Sequence, residues 1–302
     1  MSAMSVCVIG SLNLDIVCRV QDLPAPGETV AGLGVERLPG GKGGNQAVAA
    51  ARCGAATSMI AAIGQDEAGG IMLASLRGAG VDIDQVVALA DHPTGQAFIW
   101  VSAAGENSIV VAGGANALLT PQHAASPGRH AVILGQLETP VATLQAAFEH
   151  ADGATRILNA APALDEGRTL LPLTDILIVN ETELARYAEL ATVPEALDDV
   201  AAAARKLITR DGQTVIVTLG KAGAVAVDAG SLHRVEGRPA RVVDTTGAGD
   251  CFCGVLAAKL SEGADLPTAM LWANTAAGLS TEKPGAAPSM PTRAQIEAAL
   301  QR

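Results

Sequence analysis

Short β-rich runs alternate with alanine-rich helical stretches along most of the chain. This regular strand–helix order predicts an α/β fold, a doubly wound and mostly parallel sheet with helices on both faces. The predicted strands are Ser5–Gly10, Ser58–Ile63, Ala131–Leu134, Arg156–Asn159, Ile176–Val179 and Thr214–Thr218. The predicted helices are Asn45–Cys53, Ala68–Arg77, Val141–Glu149, Glu181–Leu190, Glu195–Thr209, Cys251–Leu260 and Thr268–Leu279.

Two stretches interrupt this rhythm. Leu12–Leu38 and Gly95–Ala112 show β-type alternation with Gly and Pro punctuation, and the second predicts a hairpin around Ala103–Glu106. We expect both to form one small β-sheet, which is either a lid that excludes water from a reaction or a peripheral flap. The predicted division is an α/β core of residues 1–11, 39–94 and 113–302 and a β-lid of residues 12–38 and 95–112.

Composition narrows the class of protein. The 302 residues are 49% hydrophobic but only 2% aromatic, so the core must consist of Ala, Val, Leu and Ile. A net charge of −11 argues against nucleic-acid or anionic-membrane partners, and no apolar run is long enough to span a membrane. The start lacks the features of a signal peptide, and five cysteines without a Cys-x-x-Cys pair are typical of buried cytoplasmic thiols rather than metal ligands or disulfides.

The strongest chemical signal is Asp244-Thr245-Thr246-Gly247-Ala248-Gly249-Asp250, directly before an apolar helix. Small residues at a helix start leave its first N–H groups exposed and clustered, which makes an anion hole. Asp250 in the first turn is then beside any bound phosphate, where a carboxylate can accept a proton from an attacking hydroxyl. Alone, the same pattern also fits a helix start with a capping acid.

A glycine-rich run, Pro39-Gly40-Gly41-Lys42-Gly43-Gly44-Asn45-Gln46-Ala47, lies near the other end of the chain. Gly follows Lys42, so this is no Walker A loop, and no dinucleotide fingerprint follows the first strand. The two motifs, in this order and spacing, resemble the two signatures of the ribokinase-like (PfkB) carbohydrate kinases. The resemblance extends from Gly10 to Ser289.

The resemblance implies a small-molecule kinase that transfers a phosphoryl group from ATP to O5 of D-ribose, with Mg²⁺ and an activating K⁺. A nucleoside kinase or a kinase of another sugar on the same fold is the alternative. A non-catalytic sugar-sensing module is the alternative of a different class, although Asp250 is present. We expect a small-molecule sugar as the partner and a homodimer formed through the β-lid.

The resemblance also assigns residues. Asp250 is implied as the base and Gly247, Ala248 and Gly249 as the anion hole. The implied sugar contacts are Asn13, Asp15, Gly41, Lys42, Asn45, Glu138 and Asp250. The implied ATP and Mg²⁺ residues are Asn180, Glu183, Thr218, Gly220, Gly223, Gly249 and Asn274, and the implied K⁺ ring is Asp244, Thr246, Ser280, Lys283, Gly285 and Ser289.

Overall fold

The computed structural model describes residues 5–301. The strands are β1 (Ser5–Ile9), β2 (Asn13–Val20), β3 (Gly32–Gly40), β4 (Ala56–Gly64), β5 (Val86–Leu89), β6 (Gly95–Val101), β7 (Asn107–Ala112), β8 (Val132–Gln136), β9 (Thr155–Asn159), β10 (Ile176–Asn180), β11 (Thr214–Thr218), β12 (Gly223–Val227) and β13 (Leu232–Glu236). The α-helices are α1 (Lys42–Arg52), α2 (Glu67–Gly78), α3 (Pro121–Ala124), α4 (Val141–Glu149), α5 (Glu181–Tyr187), α6 (Leu197–Arg205), α7 (Ala248–Ser261), α8 (Leu266–Ser280) and α9 (Arg293–Leu300).

The main sheet has nine strands in the order β13-β12-β11-β10-β9-β8-β1-β4-β5. Its strands run parallel from β5 to β11, and β12 and β13 add an antiparallel edge. Alternate residues of β1 point into opposite layers, Val6 and Val8 into one apolar cluster and Cys7 and Ile9 into the other. The predicted doubly wound α/β fold is therefore confirmed, with a hydrophobic core on each face of the sheet.

Helix α1 begins at Lys42, three residues earlier than the predicted start at Asn45. The glycines are the reason, because a Cβ on Gly43 would lie 2.6 Å from the carbonyl carbon of Gly10. Glycine thus lets the first turn of α1 rest directly on the backbone that follows β1. The glycine-rich run therefore spans the end of β3, the N-cap Gly41 and the first turns of α1.

A second, small sheet has the order β3-β2-β6-β7, and all four strands come from the two stretches that interrupt the α/β rhythm. Cross-strand register sorts its side chains by face: Ile99 and Val101 lie on the face that carries Asp15, whereas Phe98 and Trp100 lie on the opposite face. Strand β2 runs from buried Asn13 next to the main sheet out to exposed Arg19. One strand therefore joins the core to the outer end of the small sheet.

The second of the two tryptophans, Trp272 on α8, packs against two cationic side chains. Lys259 of α7 lies 4.1 Å and Arg293 of α9 5.6 Å from its ring centroid. Glu262 accepts hydrogen bonds from both cations. This cluster joins α7, α8 and α9 far from the chain's two glycine-rich motifs.

Candidate active site

Asp250 lies in the first turn of α7, where the backbone is shaped by Gly247. Gly247 has φ of 75°, a conformation that only glycine adopts without strain, and it precedes the first helical residue, Ala248. A Cβ on Gly249 would meet no protein atom within 4 Å, so the space in front of the first turn is open. Gly247 and Gly249 line a small cavity together with Asp250, whereas the Ala248 N–H donates to the Thr245 carbonyl at 3.2 Å.

Two consecutive amides of α1 hold the Asp250 carboxylate. Asn45 Nδ2 donates to Asp250 Oδ2 at 2.9 Å, and Gln46 Nε2 donates to Asp250 Oδ1 at 2.9 Å. Helices α1 and α7 can approach this closely because of Gly254, where a Cβ would lie 2.3 Å from the Gln46 carbonyl oxygen. Asn45 Oδ1 is buried and has no partner within the described structure, so it is available to a ligand hydroxyl.

The amide network continues below Asp250 into the sheet. Gln46 Nε2 also donates to Asn159 Oδ1 at 3.0 Å, and Gln136 Nε2 donates to Gln46 Oε1 at 2.7 Å. Gln136 and Asn159 are the last residues of β8 and β9. The sequence alone assigned no role to Gln46, Gln136 or Asn159. Gln136 and Asn159 could have been identified as site residues from their position at the carboxyl ends of parallel strands, where ligands commonly bind.

The predicted sugar residues Asn13 and Asp15 lie on β2 beside this site. Asn13 Oδ1 accepts from Asn116 Nδ2 at 2.8 Å, and Asn116 also pairs with the backbone of Leu12. Burial, together with the charges of Glu138 and Asp250, raises the pKa of Asp15 to about 7. The three carboxyl groups are therefore close enough to affect one another, and Asn116 is a further residue that the sequence did not single out.

Glu138, after β8, is fixed by the two elements that enclose it. Its Oε2 accepts from the Lys42 N–H at 3.0 Å and from the Ser11 hydroxyl. Gly41, with φ of 81°, makes this approach possible, because a Cβ there would lie 2.7 Å from the Asn13 nitrogen. Ser11 is another site residue that was not predicted.

The Lys42 side chain lines a small cavity of about 140 Å³ together with Asp250, which is one of the predicted sugar contacts, and with Asn180 and Glu183. The negative charge of Asp250, aided by Glu138 and Glu183, raises the pKa of Lys42 despite its burial. Lys42 is therefore a half-buried cation beside the start of α7, a position suited to phosphate charge.

Asn180 and Glu183 form a capping box at the start of α5. Asn180 Oδ1 accepts from the Glu183 N–H at 2.8 Å, and Glu183 Oε2 accepts from the Asn180 N–H at 2.8 Å. Burial raises the pKa of Glu183, against the effect of Asn180 and Lys42. One oxygen of each predicted ligand is thus used by the helix cap, which suits contact with a hydrated cation better than direct ligation.

A groove of about 660 Å³ extends from Gly249 over the edge of the sheet. It is bordered by the predicted nucleotide residues Thr218, Gly220, Gly223 and Asn274. Asn274 Nδ2 donates to the Glu236 carbonyl at 2.8 Å, which ties α8 to the end of β13. The groove therefore has one end at the anion hole and the other between α8 and the antiparallel edge.

The six residues of the predicted K⁺ ring come from two neighbouring segments. Asp244 accepts from the N–H groups of Thr246 at 2.9 Å and Gly285 at 2.8 Å, and these bonds hold its pKa below the usual value although burial acts to raise it. Ser280 ends α8, Lys283 donates its N–H to the Ser280 carbonyl at 3.3 Å, and Ser289 ends a short 3₁₀ turn. The described residues contain no cluster of three or more His, Cys, Asp or Glu side chains suited to a metal ion.

A cleft of about 770 Å³ separates the small sheet from the core. Asp15, Leu38 and Ile99 line it from the small sheet, and Thr246 and Ala286 line it from the core. The charge of Asp250 also acts on Asp15, which lines the cleft. The cleft and the groove share Val242 and Thr245 on their walls, and Gly249 lines both the groove and the small cavity that contains Asp250.

Comparison with known proteins agrees with this geometry. The model of the pfkB family of carbohydrate kinases matches residues 3–293. The ribokinase of Haemophilus influenzae is 38% identical over 294 residues, 95% of either chain. The bifunctional ribokinase/ribose-5-phosphate isomerase A of Fructilactobacillus sanfranciscensis is 38% identical over 299 residues, and the match spans 55% of that longer protein. The structure of Arabidopsis thaliana ribokinase complexed with ribose and ATP aligns with a TM-score of 0.88 at 31% identity, covering 99% of each chain.

Proposed function

Because the chain belongs to the pfkB family of carbohydrate kinases, we propose that it phosphorylates D-ribose at O5 with ATP, yielding ribose 5-phosphate and ADP. The observation that carries the proposal is the position of Asp250. It lines the small cavity together with Gly249, which also borders the groove, and its charge acts on Asp15, which lines the cleft. ATP in the groove would direct its γ-phosphate at the start of α7, and ribose in the cleft would direct O5 at the Asp250 carboxylate. The relatives named ribokinase support this choice of sugar.

In the proposed reaction, O5 attacks the γ-phosphorus while its proton passes to the Asp250 carboxylate. The O5–phosphorus bond forms, the bond between the γ-phosphorus and the β,γ-bridging oxygen breaks, and ADP leaves. The N–H groups at Gly247 and Gly249 and the Lys42 cation would stabilise the charge on the transferred group. Asp15, Asn13, Gly41, Asn45 and Glu138 would surround the sugar hydroxyls.

The faces of the small sheet favour a free sugar over a nucleoside. A nucleobase would need an aromatic platform in the cleft, but Phe98 and Trp100 lie on the face opposite to Ile99 and Val101, which line it. The walls of the cleft instead combine aliphatic side chains with polar and charged ones, among them Asp15, Glu36 and Asn107. Such a surface suits a compact polyol better than a base.

Magnesium and potassium fit the donor sets that we assign to them. Glu183 and Asn180 present oxygen donors in the same cavity as Asp250, and Mg²⁺ commonly retains water between itself and such groups. Asp244 is a carboxylate whose hydrogen bonds already order the loop before α7, so K⁺ bound by this loop would keep the anion hole in place. Mg²⁺ would supply charge neutralisation on the phosphates.

We also propose a homodimer formed through the small sheet. Its edge strands β3 and β7 expose Leu33, Val35, Ile109, Val110 and Val111, each more than half accessible.

A cytoplasmic location fits the use of ATP and five unpaired thiols. Among residues 5–301, no helix has the length and apolar character needed to cross a membrane.

Initial rates of ADP formation test the substrate. The panel is ribose, 2-deoxyribose, fructose, adenosine and pseudouridine, each with ATP and Mg²⁺. We expect kcat/KM for ribose to exceed that for either nucleoside at least tenfold, on the order of 1.4 kcal/mol in transition-state binding. A preference for a nucleoside would refute ribose as the substrate, and an absence of turnover with every compound would favour the sugar-sensing alternative.

A further inference from the structure

Gln46 is a buried amide whose three hydrogen bonds all have defined partners. Its Nε2 donates to Asp250 and Asn159, and its Oε1 accepts from Gln136. All four side chains are less than a tenth exposed. The Asp250 carboxylate can only accept hydrogen bonds, and on the other side the Gln136 amide donates one to Gln46. The Gln46 side-chain amide therefore has one orientation that satisfies every partner.

We propose that Gln46 is a positioning residue that holds the Asp250 carboxylate in the orientation needed to accept the sugar proton. This inference rests on the proposed function, in which Asp250 is the base. Asn45 takes Oδ2 and Gln46 takes Oδ1, so that neither oxygen can rotate without losing an amide donor. The carboxylate is thereby fixed before any substrate arrives.

A purely structural role explains this arrangement poorly. Burying an amide costs free energy unless its hydrogen bonds are made, and an aliphatic residue would fill the same volume without that cost. Here three amides from α1, β8 and β9 are buried together, and their network ends at the only carboxylate of α7's first turn. The network therefore serves the carboxylate rather than the packing.

Other titratable groups also surround Asp250, but none of them is hydrogen-bonded to the Gln46 amide. They act through space on Asp250 or on its neighbours, and a change at Gln46 leaves them in place. These groups are Asp15 of β2, Lys42 of α1, Glu138 after β8, Glu183 of α5 and Cys253 of α7.

The test compares Gln46→Met and Gln46→Glu with the matched control Gln213→Met. Gln213 is also a fully hydrogen-bonded buried amide, donating to the carbonyls of Leu171 and Thr174, but it lies at the amino end of β11, away from Asp250. Measurements are kcat, KM for ribose and the pH–rate profile, with thermal unfolding as the check on folding. Where Gln46→Met does not fold, Gln46→Glu keeps the side-chain volume and the acceptor for Gln136, and carries the test.

For Gln46→Met we expect kcat to fall on the order of 10- to 100-fold, as for a misplaced catalytic group, with a small change in KM. In this variant the acidic limb of the pH–rate profile should move to higher pH, because the charged Asp250 carboxylate has lost the hydrogen bond from Gln46. Gln46→Glu should move the acidic limb further, since two adjacent carboxylates resist ionising together. Gln213→Met should lower the unfolding temperature without altering the profile.

Two results would overturn the inference: an unchanged profile in both Gln46 variants, or an equal shift in Gln213→Met. Asp250→Asn separates this failure from failure of the proposed function. If Asp250→Asn abolishes turnover while Gln46→Met does not change it, only the positioning role is wrong. If Asp250→Asn retains turnover, the base itself is wrongly assigned.

Discussion

Asp15→Asn should stabilise the protein at high pH while impairing its use of ribose. The Asp15 carboxyl has a pKa of about 7 in the fold, against 3.8 as the ordinary value, because burial and two neighbouring acids oppose its charge. Ionising it in the folded state therefore costs on the order of 4 kcal/mol. Asparagine has nearly the same shape and carries no such cost.

The sign of the pH dependence follows from linkage. The pKa of Asp15 is higher in the folded state than in the unfolded state. Below pH 3.8 the carboxyl is protonated in both states, so the folded protein is relatively most stable there, and it loses stability as pH rises from 3.8 to about 7. The stability of Asp15→Asn relative to the natural sequence should therefore grow from under about 1 kcal/mol near pH 4 to about 4 kcal/mol above pH 7. KM for ribose should fall in the natural protein as pH rises through 7, since the ionised carboxylate is the better acceptor for sugar hydroxyls.

Urea unfolding at pH 4, 6 and 8 measures this difference, and steady-state kinetics over the same range measures KM. Asp91→Asn, an exposed aspartate away from the cleft, is the control and should show no comparable pH-dependent gain. A stability difference for Asp15→Asn that does not vary with pH would refute the reasoning. The reasoning would also be refuted if the natural protein were more stable than Asp15→Asn at pH 8.

Three further outcomes are expected. Asp250→Asn should lower kcat roughly 10²- to 10⁴-fold with a smaller change in KM for ribose, and retention of more than a tenth of turnover would exclude Asp250 as the base. Gly249→Ala should fold normally, because its Cβ meets no atom within 4 Å, yet raise KM for ATP at least tenfold by crowding the anion hole; undiminished ATP use would place the phosphates elsewhere. Potassium should raise activity over tetramethylammonium through the Asp244 loop, and equal rates would exclude the ion.

Local signals were enough to predict the central strands and a helix after each glycine-rich motif, although α1 and α7 each begin three residues earlier than predicted. The antiparallel edge was missed, although Asp228 accepts from Gly230 and Ser231 in a tight turn between β12 and β13. That turn was the available signal.

The site residues that the sequence did not predict were missed for a different reason. Ser11, Asn116, Gln136 and Asn159 are single polar residues whose partners lie far along the chain, such as Asn116 and Leu12, 104 positions apart. No spacing rule connects such pairs before the sheet brings them together. The role of Lys42 stays a prediction, and the cavity that its side chain lines is shared with Glu183 of α5, a contact that no local pattern describes.

The positions of the two tryptophans give the protein an intrinsic optical probe. Trp272 is clamped between two cations in the helical layer, so its surroundings stay fixed. Trp100 lies on the small sheet, two hydrogen-bonded strands from the β3 edge and on the face away from the cleft. A ligand that moves this sheet would change the emission of Trp100 while Trp272 supplies a constant background. The equilibrium position of the sheet can therefore be followed in solution without attaching a dye.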